Sequence, residues 1–317
     1  MQEGYVAERF FIFFITFCLV GVLVWRRLLE FLGADSKSLE FQVNMANTAH
    51  FMCIGILAQY ILIIYITDFS FNTFSGLYSD GVIFLFRILY LTLVFVYFVY
   101  LHYETTKTVT FYTYEYYFLI LVAVLGLSSM VIASNFFNLL IFMEIYSIAV
   151  YFLIHDKRGS SRSAEAAYKY FVVSSFSTAF FIFGIFFVYF SRGALSFIDL
   201  AMLPIADFWG TIGYFFIAIS LCVKMGASLF FFWIADTYDG ANYSILMFLN
   251  LFVKPVFVIV LFKLLTVAES EVLHVIFRNL LFGSLIVGIA GAVSYTKIKR
   301  FLIFTSIYNI GFFSCFF

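Results

Sequence analysis

Windows of about twenty predominantly apolar residues recur from one end of the chain to the other, and that length is what a helix needs to cross a bilayer. The two-residue alternation of a β-barrel is absent, so the spans are helices, which satisfy their own backbone in lipid. Composition agrees: of 317 residues 64% are hydrophobic and 11% charged, with a mean hydropathy of +1.06, too little charge to clothe a water-soluble globule. The expected fold is all-α, a polytopic membrane protein with ten spans near 10–25, 48–66, 82–101, 116–133, 136–154, 166–190, 211–233, 244–266, 279–295 and 301–317. The first apolar segment is followed by Trp25-Arg26-Arg27 and has no small-residue cleavage site, so it reads as a retained span.

Net charge is zero, yet the basic residues are unevenly placed. Loops after odd-numbered spans hold ten (Arg26, Arg27, Lys37, Lys107, Lys157, Arg158, Arg162, Lys297, Lys299, Arg300), and the opposite loops hold three (Arg9, Arg192, Arg278). Positive charge stays inside, which places the N-terminus outside. Cys18, Cys53, Cys222 and Cys315 are scattered singly and read as small core residues; His50, His102, His155 and His274 sit at span ends or in loops and form no cluster. Neither set predicts a metal site, and no phosphate loop or dinucleotide fingerprint is present, so no cofactor is expected in this chain. The Phe-rich palette, 48 Phe against 2 Pro, favours A+T-rich codons and hints at an organellar gene.

Three charges fall at membrane depth. Glu144 lies nine residues after Asn135 and eleven before His155; Lys224 lies nine before Trp233; Lys254 lies ten after Ser244 and twelve before Thr266. At about 1.5 Å per residue each is more than about 10 Å from a surface, too deep to snorkel easily. A charge there costs about 2.5–3.5 kcal/mol on insertion scales, so such residues face a bundle interior and usually work. Two readings compete: a buried ion pair that only locks packing, and a proton relay in which a changing Glu144–Lys224 separation alters how firmly each group holds its proton. Gly226 and Ser228 weaken the helix just past Lys224, and Pro255 follows Lys254, so both lysines stand beside disturbed backbone. Ser174, Ser175, Ser177, Thr178, Ser220 and Ser228 could hold connecting waters or simply allow close packing. Arg87 and Lys263, nearer span ends, are expected to snorkel. Ser163 is expected to cap the sixth span, and "DTYDGAN" to end one helix and begin the next.

The stretches "NFFNLLIFMEIYSIAVYFLI", "RSAEAAYKYFVVSSFSTAFFIFGIFFVYFSRGALSF", "VKMGASLFFFWIADTYDGA", "NLFVKPVFVIVLFKLL" and "KIKRFLIFTSIYNIGFF" resemble, in order and spacing, the antiporter-like membrane subunits of NADH:quinone oxidoreductase, respiratory complex I. "EAAYKYF" and "FWIADTYDGA" are most similar to the branch called subunit 2. The resemblance covers about 116–317, the expected proton-translocation domain, and leaves 1–115 as three leading helices. It implies a proton-translocating module without a redox centre, with NADH, FMN, iron–sulfur clusters and ubiquinone held by other subunits. Glu144 matches the family's fifth-helix glutamate, Lys224 the lysine of its broken seventh helix, and Lys254 its eighth-helix lysine.

Departures from the family pattern are Leu229 in place of a proline, Phe231 in place of a histidine, and Asn309 in place of a tenth-helix histidine. The family's fourteen-helix core contains two inverted repeats, of which ten spans would include only part of the second. A separately encoded chain supplying the remaining helices is therefore expected, with a truncated or non-pumping subunit as the competing explanation. Other expected partners are membrane-arm subunits, including antiporter-like subunit 4 and small membrane subunits, and lipids, with no nucleic acid. The expected location is the mitochondrial inner membrane, with a bacterial plasma membrane as the alternative. A scaffold subunit of the same complex and a subunit of a cation/proton antiporter assembly are the alternative functions.

Overall fold

The computed structural model of the protein describes residues 6–31, 39–71, 80–107, 113–155, 160–203, 207–268 and 271–312. Lys37, Lys157, Arg158 and Cys315 lie outside them. The described residues are helical except for short connections and one isolated bridge. The chain forms two units, Met1–Ile132 and Ala133–Phe317.

The first unit consists of α1 (Val6–Phe31), α2 (Leu39–Phe71), α3 (Asp80–Lys107) and α4 (Tyr114–Ile132). α4 is its most enclosed helix, packed on the others through Leu121, Val124 and Leu127, all fully buried. One expectation fails inside this unit. Arg87 does not snorkel: it is 2% exposed and its Nη2 donates to the Tyr60 hydroxyl at 3.4 Å, while that hydroxyl also pairs with Ser128 Oγ at 3.0 Å. His50 and His102 do meet, with ring centroids 5.2 Å apart, because pairing α2 with α3 joins residues far apart in sequence. No group of three or more metal-ligating side chains occurs among the described residues.

The second unit begins with α5 (Phe136–Ile154), α6 (Ser161–Arg192) and the short α7 (Phe197–Met202). Asn135 caps α5, its side chain accepting from Asn138 N at 2.7 Å, and the bridge between Asn135 and Ser196 ties the start of α5 to the start of α7. Ser160, not Ser163, caps α6: its Oγ accepts from Ser163 N at 3.3 Å, so Ser163 is the third residue of the turn and not its cap. Gly193 ends α6 in the left-handed conformation at φ 66°. α8 (Phe208–Met225) packs along α6 where Gly184 meets Gly213; a Cβ on Gly184 would stand 2.7 Å from the Gly213 carbonyl oxygen, so side chains would part the helices.

The predicted seventh span breaks after Met225. α9 (Phe232–Gly240) resumes beyond it, then α10 (Tyr243–Phe248), a π-helical turn (Leu249–Val253), α11 (Lys254–Ala268), α12 (Glu271–Ser294) and α13 (Ile298–Phe312) complete the unit. As expected, "DTYDGAN" closes α9 and opens α10. Eight helices among the described residues are long and apolar enough to cross a membrane; the expected first span appears as the shorter apolar stretch Phe11–Val24 and the tenth as the fifteen residues of α13. The outward face of α6 carries Phe171, Phe176, Phe183, Phe186 and Phe190, each more than half exposed, a face that suits hydrocarbon and not water. Lys263 turns inward instead of snorkelling: its Nζ donates to the Ala133 carbonyl at 2.5 Å and lies 4.8 Å from the Phe197 ring centre.

Candidate functional site

The break in the seventh span is built by Gly226. Its φ of 71° lies in the left-handed region, and a Cβ there would overlap the Ile234 side chain, so both backbone and space demand glycine. Its N–H donates to the carbonyls of Cys222 at 2.9 Å and Val223 at 3.1 Å, closing α8. The Val223 carbonyl also accepts from Trp233 Nε1 at 3.1 Å, so a side chain of α9 satisfies the broken end of α8. The expected cause of the break is therefore observed in Gly226; Ser228 has a different task, donating to the Leu280 carbonyl on α12 at 2.8 Å.

Lys224 stands two residues before that break, its side chain 4% exposed. Nζ lies 3.4 Å from Glu144 Oε1 and donates to Ser147 Oγ at 2.6 Å. Glu144 and Ser147 share one face of α5, one turn apart. The Glu144 side chain is 36% exposed, and its Oε1 also accepts from Thr178 Oγ1 of α6 at 2.5 Å. Three helices thus converge on a single carboxylate oxygen. A cleft of about 170 Å³ bounded by Glu144, Ser147, Tyr151 and Ser174 adjoins it, and a small one of about 10 Å³ bounded by Tyr146, Tyr170, Ser174, Lys224 and Trp233 lies beside Lys224.

Lys254 has other company. It is 5% exposed and donates to Ser306 Oγ on α13, and no carboxylate lies within 4.0 Å of it among the described residues. The π-helical turn before it accommodates Pro255, which lacks an N–H and whose ring would crowd the carbonyl one turn back. The Oδ1 of Asn250 on that turn is buried without a hydrogen-bond partner among the described residues. The structure thus joins Glu144 to Lys224 and gives Lys254 a separate setting one helix away, α11 packing against α8.

Of the hydroxyls proposed to hold water, Thr178 reaches Glu144, whereas Ser177 and Ser220 bond each other at 2.9 Å and Ser175 returns to its own helix at Phe171 O. Ser147 and Ser306 were missed by sequence reasoning. Ser147 carries a usable signal, its spacing of three from Glu144, while Ser306 carries none until α13 is placed.

The sequence profile of the family described as NADH:quinone oxidoreductase/Mrp antiporter, transmembrane, matches residues 133–316. The chain belongs to this family. Among its relatives, NADH-quinone oxidoreductase subunit N of Neisseria gonorrhoeae is 34% identical over 197 residues, covering 60% of this chain and 41% of that protein. NADH-ubiquinone oxidoreductase chain 2 of Dictyostelium discoideum is 28% identical over 194 residues, covering 59% and 40%. The match spans about two-fifths of the length of these relatives. The fold is shared with a chain of respiratory complex I from Thermus thermophilus, at a TM-score of 0.72 and 20% identity over 98% of this chain and 63% of that one. It is also shared with a chain of the Mrp complex from Dietzia, at a TM-score of 0.77 and 17% identity over 99% and 58%. The NADH:quinone oxidoreductase/Mrp antiporter match begins at Ala133, so the whole Glu144–Lys224–Lys254 constellation falls inside it.

Proposed function

We propose that this chain is a proton-translocating subunit of the membrane arm of an NADH:quinone oxidoreductase, of the kind named subunit N or chain 2 in its relatives. Residues 1–115 serve as leading helices and 116–317 as the translocation domain. Glu144, Lys224 and Lys254 act as the relay, with electron transfer from NADH through FMN and iron–sulfur clusters to ubiquinone confined to other subunits. Neighbouring membrane-arm subunits, antiporter-like subunit 4 among them, and lipids are its partners. The observation that carries the reading is the Glu144–Lys224 pair, 3.4 Å apart at mid-span beside a broken helix. Charges at that depth are expensive, and interrupted helices are tolerated there where they line a cavity.

The family also includes Mrp antiporters; the subunit N relatives, aligned at up to 34% identity, support the oxidoreductase reading over that alternative. Bacterial relatives at higher identity than the Dictyostelium protein favour a plasma membrane over the mitochondrial inner membrane that the Phe-rich palette suggested. The test is purification of the native assembly followed by Lys224→Met. Flavin and iron–sulfur subunits should accompany the chain, and the variant should keep NADH–quinone electron transfer partly active while moving fewer protons per electron. An assembly without flavin subunits, or an unchanged proton-to-electron ratio, rejects the reading.

A further inference from the structure

We infer that Ser147 and Thr178 are positioning residues that set the separation of Glu144 and Lys224, and so decide when the pair is closed. This inference rests on the proton-relay reading and names the groups that regulate it.

Thr178 has one hydroxyl hydrogen and two acceptors in reach, Glu144 Oε1 at 2.5 Å and the Ser174 carbonyl at 3.0 Å. A charged carboxylate is the stronger acceptor, so the bond goes to Glu144 while that group is ionised. It bonds the same oxygen that accepts from Lys224 and competes with the ammonium for that oxygen's negative charge. The ion-pair distance of 3.4 Å is longer than the 2.7–2.9 Å typical of a charge-assisted bond. When Glu144 gains a proton, the hydroxyl can return to the Ser174 carbonyl, the common resting bond of a helical threonine. No proton leaves Thr178; only its acceptor changes.

Ser147 supplies the other half of the arrangement. Its Oγ donates to the Met143 carbonyl at 2.7 Å, leaving lone pairs that accept from the Lys224 ammonium at 2.6 Å. A neutral lysine amine needs a donor instead, and Ser147 can turn its hydrogen from Met143 to that nitrogen. One hydroxyl therefore serves Lys224 in both protonation states, so the lysine keeps its place whether or not Glu144 is charged. A mere packing serine would not need to touch the nitrogen, and its spacing of three from Glu144 fixes both groups on one helix face.

The experiment compares proton-to-electron ratio and NADH–quinone turnover of the purified complex in liposomes for wild type, Glu144→Gln, Thr178→Val, Thr178→Ser and Ser147→Ala. Thr178→Val removes the competitor; the pair closes, and proton transport should slow by about tenfold, the size of one hydrogen bond to a charged group. Thr178→Ser keeps the hydroxyl and should restore transport, which a packing role for the methyl group would not allow. Ser147→Ala should lower the proton-to-electron ratio with assembly intact. If the valine variant does not assemble, Thr178→Ala, which only removes atoms, takes its place. Wild-type transport in Thr178→Val and Ser147→Ala, with Glu144→Gln impaired, overturns this inference and leaves the relay standing. Wild-type transport in Glu144→Gln overturns both.

Discussion

Arg87 and Lys224 are both cations buried in apolar helices, at 2% and 9% residue exposure, yet only one of them sits beside a broken helix. Arg87 belongs to α3, which runs uninterrupted from Asp80 to Lys107, and it leans on the Tyr60 hydroxyl. Lys224 ends a helix that stops at Gly226, touches a carboxylate, and borders a cleft. Lys254 is intermediate: a hydroxyl partner like Arg87, a disturbed backbone like Lys224. The cost of burial is common to all three. What marks Lys224 is its contact with the Glu144 carboxylate, and what it shares with Lys254 is disturbed backbone beside a buried ammonium.

The largest effect should come from destroying the device that makes the comparison. Gly226→Val puts a β-branched residue at φ 71° and drives its side chain into Ile234. Backbone strain alone costs about 1–3 kcal/mol, and overpacking adds about as much again, so the assembled complex should be nearly lost on native gels. Normal assembly would mean that α8 and α9 can meet some other way. Next in size, Lys224→Met leaves the 36%-exposed Glu144 without its cation and should abolish this module's proton transport, read as quenching of a pH dye during NADH oxidation. Arg87→Met is the opposing arm. Tyr60 keeps its bond to Ser128, so the variant should lose about 1–3 kcal/mol of stability, seen as a lower Tm, with protons moved per electron unchanged. A transport defect in Arg87→Met at normal assembly would erase the distinction between the two cations.

The sequence announced the expensive charges and the helix-breaking residues beside them, because apolar windows make an interior lysine conspicuous and Gly226 and Pro255 act locally. Which cation meets which partner was not legible. Arg87 read as a snorkelling residue from its distance to a span end, but α2 and α4 close over it, and that closure depends on helix pairing. The His50–His102 contact was hidden for the same reason. Capping fell between these extremes: Ser160 and Ser163 are both suitable, and only the path of the incoming chain decides that Ser160 Oγ meets Ser163 N. The family motifs located Glu144, Lys224 and Lys254 together, while the geometry separates them into a joined pair and a lysine held by the Ser306 hydroxyl.

That separation yields the smallest and sharpest test. Ser306 Oγ donates to the Ile303 carbonyl at 2.5 Å and accepts from Lys254, so Ser306→Ala deletes the hydroxyl partner that Lys254 has on α13. The expected loss is about 1 kcal/mol in thermal stability, the usual worth of one hydrogen bond, with assembly retained. Energies of residues in contact do not add, whereas those of distant sites do. Ser306→Ala should therefore be nearly silent on top of Lys254→Met, yet add its full effect on top of Lys224→Met. Additivity with both lysines would mean that Ser306 serves packing of α13 alone. Coupling of Ser306 to Lys224 as strong as to Lys254 would mean that the two lysines form one network, and the contrast between them would dissolve.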